Sequence, residues 1–286
     1  MKLASLDQGR DGSLVVVSTD GRRFAAAQGI AETLQQALDD WAGVEPRLRR
    51  LAERLEADEG QDCATVRFAA PLPRAWQWLD GSAFPSHGAL MDRVLGVVPE
   101  KTGLPLMYQG LSDRFIAPDA DVPLPSEDDG IDFEGEFAVV TDAVPLGVTP
   151  AQAIGLIRLV VQVNDWSLRM LAGREMKTGF GWVQAKPACS MAPFAVTPDA
   201  LGAAWRDGRV HLTLHVRRGD QVFGAAHGGA MEFGFHDLIA HAARTRSLPA
   251  GTIVGSGTVS NADYREVGSS CIAERRGIEI IDRGAP

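Results

Sequence analysis

The sequence predicts an α+β fold rich in strands. Three observations carry this: many short β-branched runs, few long amphipathic stretches, and helical periodicity concentrated before residue 60. Many strands with few long helices do not suit a doubly wound sheet. The helical stretch near the N-terminus instead marks a small α/β unit, residues 1–65, ahead of a strand-rich body, residues 66–286.

Residues 1–27 read as two short strands around a turn, since Leu14-Val15-Val16-Val17 is β-branched and Asp20-Gly21 is a hairpin signal. From Ile30 to Glu59 the period becomes helical. Leu34, Ala37, Leu38 and Trp41 form one set, Leu48, Leu51, Ala52 and Leu55 a second, and Pro46 sits where the second helix would begin. The polar segment 57–63 is the boundary candidate. Residues 80–87 read as a loop, and the proline-punctuated 103–125 as irregular chain or edge strand. Phe133–Val140 alternates as a strand, Thr149-Pro150 opens a short helix, Ile157–Val163 is a buried strand, and Ser167–Met176 is helical. A hairpin over 211–223, a helix over 235–246 and late strands over 252–259 and 278–281 complete the body.

A net charge of -9 argues against nucleic-acid partners, which call for a basic face. No window approaches the roughly 20 apolar residues of a membrane span, and the first residues lack a signal peptide's apolar core. The widely spaced Cys63, Cys189 and Cys271 suit reduced thiols, so a cytoplasmic protein is expected.

Three groups of residues point to chemistry. In a strand, Glu134 and Glu136 project side by side, with Asp132 beside them. On spacing alone a solvated acidic edge is the leading reading, and a cation site the alternative. Asp165, at the mouth of the 157–163 strand, is either a helix cap or a further oxygen ligand. An oxygen-only set suits magnesium, manganese or calcium and not zinc. Lys186, in an apolar, proline-rimmed stretch, forms either a structural ion pair or a counter-charge for developing negative charge. His87 follows Asp80 by seven residues; among the six histidines it is the best general base.

Four stretches, in order, carry a resemblance to the fumarylacetoacetate hydrolase family: Asp132-Phe133-Glu134-Gly135-Glu136, Val163 to Arg169, Gln184-Ala185-Lys186-Pro187, and Gly255 to Asn261. It runs from about Leu72 to the C-terminus and extends in outline to the N-terminal unit. The resemblance implies a mixed β-roll, commonly a homodimer, with Asp80, Glu134, Glu136 and Asp165 as ligands of a divalent metal: Mg2+, with Mn2+ or Ca2+ as substitutes. Lys186 and Ser190 match residues lining the same pocket, and His87 matches a catalytic histidine. Tyr108, Arg169 and Thr258 match substrate-pocket residues; unaided they read as packing, a helix-surface charge and a turn hydroxyl.

Departures from the pattern matter too. The glutamate expected to pair with His87 falls at Ile272. Glu274, two positions on, keeps the same face if the segment is a strand. Arg93 lies near a family arginine without aligning to it, and Ser82 and Ala172 replace larger polar residues, which argues against fumarylacetoacetate itself as substrate. The expected activity is hydrolytic carbon–carbon cleavage of a small 1,3-dioxo acid, an acylpyruvate for example, through an enolate stabilised by the metal and Lys186. Decarboxylation, tautomerisation or 2-oxo-4-enoate hydration on the same site is the first alternative. A non-catalytic module with a structural cation is the second.

Overall fold

The computed structural model describes residues 1–57, 60–96 and 102–285, so residues 58 and 59 of the anticipated boundary segment lie outside it. The chain opens with three antiparallel strands, β1 (Lys2–Leu6), β2 (Ser13–Val17) and β3 (Arg23–Ala26). That is one more than expected: Lys2–Leu6 has no β-branched run, and it owes its strand to five registered partners in β2. Two helices follow, α1 (Leu34–Asp39), capped by the Thr33 hydroxyl, and α2 (Trp41–Glu56). Their periodic residues Leu34, Leu38, Trp41, Leu48, Leu51 and Leu55 are buried on one face of the sheet with Leu3, Leu14 and Val16. Pro46 does not start α2 but lies inside it, because Asp40 is the only residue between the two helices. It forgoes one helical hydrogen bond near the N-terminal end.

The body continues through β4 (Gln61–Asp62), β5 (Trp78–Gly81), α3 (Pro85–Leu95), β6 (Met107–Gly110), β7 (Ile131–Asp132) and β8 (Gly135–Thr141). Next come α4 (Pro150–Ala153), β9 (Ile157–Asn164), β10 (Ser167–Leu168), α5 (Arg169–Thr178), β11 (Ser190–Met191) and β12 (Ala195–Val196). The remainder comprises β13 (Trp205–Arg206), β14 (Arg209–Val210), the hairpin β15 (Thr213–Arg218) and β16 (Gln221–His227), α6 (Phe235–Ala242), β17 (Ile253–Gly255), α7 (Tyr264–Val267) and α8 (Ile272–Arg283).

Among the described residues one sheet unites the molecule, in the order β4-β3-β2-β1-β12-β9-β8-β17-β5-β6, with β11 also on β9. Its pairings are antiparallel except β17 with β5. The result is an α+β fold dominated by strands. At its centre β8 and β9 pair from Gly135↔Asn164 to Thr141↔Ile157. Alternation splits their side chains between two cores. Ala138, Val140, Leu159, Val161 and Val163 join the core beneath α1 and α2, while Phe137, Val139 and Val160 join that beneath α6. Each large apolar side chain so buried contributes about 1.5–3 kcal/mol.

Three expectations need correction. Asp80 lies in β5, and His87 lies in the first turn of α3, so the 80–87 segment is only partly loop. Composition concealed the strand because Asp80-Gly81 pairs with Tyr108 and Met107 inside a sheet. The strand within 252–259 is only three residues long; Gly257, at φ +76°, turns the chain away. Residues 278–281 are not a strand but the second half of α8. There Gly277 lies against α3, where an added Cβ would stand 3.1 Å from both Met91 and Val94, and Ile278 is buried. This packing overrides the β preference of Ile278, Ile280 and Ile281.

Candidate active site

Four carboxylates converge where β5, β8, β9 and β17 end on one face. Asp80 shares its face of β5 with Trp78, and Glu136 shares its face of β8 with Ala138. Glu134 precedes β8, and its amide donates to the Asn164 side chain at 3.1 Å. Asp165 follows β9, and its amide donates to the Glu134 carbonyl at 3.0 Å. The structure thus brings Asp80, Glu134, Glu136 and Asp165 together, each offering an oxygen within 4.8 Å of the others, and all are buried. Gly255 of β17 forms the floor. A Cβ there would strike Trp78 and the Asp80 carboxylate and come within 3.0 Å of Glu136 Oε2.

Charge balance shows what this cage can hold. Lys186 Nζ donates to Glu134 Oε2 at 2.8 Å and Asp165 Oδ2 at 2.6 Å. Arg169 donates to Asp132 Oδ2 at 2.8 Å and Glu134 Oε1 at 2.6 Å. The five buried acids Asp80, Asp132, Glu134, Glu136 and Asp165 therefore outnumber the two cations by three. Burial pushes Asp80 well above the usual carboxylate range, with repulsion from Asp165 adding to it, and Glu136 rises through burial and Asp80. Burial also opposes the Glu134 charge, but Lys186 and Arg169 outweigh it and hold Glu134 low. Lys186 keeps its proton in the same way, burial being overcome by Asp165 and Glu134.

Both carboxylate oxygens of Glu136 are buried without a hydrogen-bond partner. Such orphaned acceptors are costly unless something positive meets them. A divalent cation of oxygen-ligand preference fits this cage, because it meets those oxygens and cancels most of the surplus charge.

The catalytic candidates stand close by. His87 Nδ1 lies 2.9 Å from Glu274 Oε1, and the His87 side chain keeps 19% exposure while that of Glu274 keeps 1%. The dyad forms although Glu274 is on a helix rather than the expected strand. Cys271 caps α8 and places Glu274 in its first turn, beside α3. Tyr108 donates to Asp165 Oδ2 at 2.6 Å, so its hydroxyl is turned to the acids. Arg169, unlike the surface charge its helical position suggests, is engaged with Asp132 and Glu134. Thr258 is buried in the turn after Gly257, whose amide donates to Asp80 Oδ1 at 3.1 Å. Ser190 accepts from the Trp166 indole at 2.9 Å, Ala172 is buried in α5, and Arg93 is exposed on α3.

Three neighbours escaped the sequence reading. Trp182 stacks on Tyr108 with ring centroids 5.4 Å apart, and Lys186 Nζ lies 5.4 Å from the Trp182 ring. Cys189 donates its thiol to Asp165 Oδ1 at 3.0 Å. Cys271 joins His87 and Glu274 as a group of close metal-ligand atoms. None has a sequence signal beyond adjacency to a motif residue.

Comparison with known proteins agrees with this picture. Residues 77–281 match the fumarylacetoacetate hydrolase C-terminal family, and residues 1–74 match the fumarylacetoacetase N-terminal domain 2. The 2,4-didehydro-3-deoxy-L-rhamnonate hydrolase of Sphingomonas sp. (strain SKA58) is 25% identical over 250 residues, 83% of this chain and 81% of that one. The fold is shared with the manganese- and pyruvate-bound maleylpyruvate hydrolase of Sphingobium sp. SYK-6, at TM-score 0.68 and 18% identity over 95% of this chain and 90% of the other. It is shared too with a probable 2-hydroxyhepta-2,4-diene-1,7-dioate isomerase from Mycobacterium abscessus, at TM-score 0.67 and 19% identity over 95% and 87%. With both family segments matched in order and the acid cage at the ends of the sheet's inner strands, the chain belongs to the fumarylacetoacetate hydrolase family.

Proposed function

We propose that this protein hydrolyses a carbon–carbon bond in a small 1,3-dioxo acid, with Asp80, Glu134, Glu136 and Asp165 holding Mg2+ or Mn2+. The observation that carries the reading is the His87–Glu274 pair, 2.9 Å apart, beside a cage whose Glu136 oxygens lack partners. A divalent cation bound there supplies Lewis-acid chemistry, polarising substrate oxygens and offsetting negative charge.

The chain's own residues do the rest. Glu274 accepts a hydrogen bond from His87 Nδ1–H, which fixes the tautomer and leaves Nε2 free to take a proton from water. The resulting hydroxide adds to the distal carbonyl, and the bond to the central carbon breaks with its electron pair leaving as an enolate. The Lys186 ammonium, kept charged among the acids, faces that developing charge, and the His87 proton then passes to carbon. Tyr108 and Trp182 wall the Lys186 side. The hydrolase among the relatives supports this reaction class. Probable isomerases share the fold, so tautomerase and decarboxylase activity belong in the same assay panel.

The test is turnover of an acylpyruvate and of oxaloacetate with Mg2+ or Mn2+, in the native protein and in His87→Ala. The variant is expected to lose about 100-fold or more in acylpyruvate hydrolysis while still binding the cation. Hydrolysis at the native rate would reject the role of His87. A native protein that only decarboxylates or isomerises would replace hydrolysis by that reaction. A homodimer is the expected assembly, checked by light scattering.

A further inference from the structure

We propose that His87, Cys271 and Glu274 form a second metal site, separate from the carboxylate cage and suited to zinc. One nitrogen, one sulfur and one carboxylate oxygen of these residues all lie within 4.8 Å of one another. Mixed nitrogen, sulfur and oxygen donors select zinc, whereas the all-oxygen cage selects harder ions. Glu274 Oε2 is buried without a hydrogen-bond partner, so the carboxylate has an acceptor to spare beyond its bond to His87.

The frame is preorganised on the α8 side. Asp132 accepts from the Ile272 amide at 2.6 Å and the Ala273 amide at 2.9 Å, and Arg169 holds Asp132 in turn. Gly135 donates to the Ser270 carbonyl at 2.9 Å, and Glu134 bridges Cys271 through the backbone. Cys271 Sγ already accepts from the Glu274 amide at 3.3 Å. His87 comes from the opposing helix α3, and its partial exposure gives an ion a way in.

On binding, the Cys271 thiol releases its proton to solvent, the single His87 proton moves from Nδ1 to Nε2, and His87 coordinates through Nδ1 in place of its hydrogen bond to Glu274. An imidazole so held cannot take a proton from water. Zinc therefore inhibits the hydrolysis proposed above while the carboxylate cage keeps its own cation. That consequence rests on the proposed role of His87, but occupancy of the site does not, so the two fail separately.

The experiment titrates Co2+, as a spectroscopic substitute for zinc, into protein saturated with Mg2+. Expected is a saturable thiolate-to-cobalt charge-transfer absorption at one equivalent, bleached by Zn2+. It should be lost in Cys271→Ser, retained in Cys189→Ser and Cys63→Ser, and weakened about 10-fold or more in affinity by His87→Ala. No band in the native protein, a band that survives Cys271→Ser, or one that depends on Cys189 or Cys63 would overturn the assignment. Should Cys271→Ser lose its fold by circular dichroism, His87→Ala and Glu274→Gln decide, and unchanged cobalt affinity in both rejects the site.

Discussion

Glu136 is the residue on which the cage turns. It is fully buried, carries two unpartnered oxygens, and has neither Lys186 nor Arg169 as a direct partner, unlike Glu134. Glu136→Gln keeps its shape and removes its charge. Calorimetry should show divalent-cation affinity falling beyond the ~10- to 100-fold that outer-shell changes cost, while the cation-free protein folds as before. Native affinity in that variant would place the ion elsewhere. Glu134, Glu136 and Asp165 were legible in the sequence as acids at strand ends, although their spacing favoured a solvated edge and only the resemblance to the family made them ligands. The partners of Arg169 were not, because an exposed helical register hides ion pairs made to Asp132 and Glu134 more than thirty residues earlier.

Among the elements, α5 and the loop after it decide where Lys186 stands. Glu175, at the end of α5, accepts three backbone amides: Val183 at 3.1 Å, Gln184 at 2.9 Å and Ala185 at 3.0 Å. Those bonds hold its carboxyl below the usual range, the Gln184 and Ala185 amides foremost. They tie down residues 183–185, the segment that joins Trp182 to Lys186. Glu175→Ala should accelerate amide hydrogen exchange across residues 180–186, with protection in β8 and β9 unchanged. Equal protection in both proteins would mean that the loop is held by its aromatic stack instead. Helix α8 teaches the complementary lesson. Its β-branched tail suggested a strand, yet the site needs only that Glu274 sit three residues after its cap, and a helix in contact with α3 achieves this.

For the whole molecule, the cage links stability to both pH and cation. Asp80 and Glu136 have folded-state values raised above their unfolded ones, by burial first, and then by repulsion from Asp165 for Asp80 and from Asp80 for Glu136. In cation-free protein their protonated forms are favoured by folding. That contribution is full below the ordinary carboxylate range and is lost as pH rises through the raised values. A bound divalent cation replaces those protons, so its stabilisation should grow with pH. At neutral pH, Mg2+ or Mn2+ at 1,000 times its dissociation constant should add about 4 kcal/mol, read as a rise in Tm that EDTA reverses and that shrinks toward pH 5. A Tm indifferent to cation at all pH values would leave the cage without an ion.

Asp80 as a ligand, and the full ligand set, came from the family resemblance; legible in the chain alone were the strand-rich α+β class, the buried β9 strand, the helical N-terminal stretch, and the candidate chemistry of Glu134, Glu136, Asp165, Lys186 and His87. These follow from side-chain periodicity and from the chemistry of single residues, which need no partner to be read. Only the tertiary structure decided that one continuous sheet joins the N-terminal strands to the body, through β1 and β12, and that residues 278–281 are helical. It alone brought Cys271 to His87 and Trp182 onto Tyr108. Those contacts join segments far apart in the chain, and their geometry is set by packing and charge balance, quantities that exist only once the chain has closed on itself.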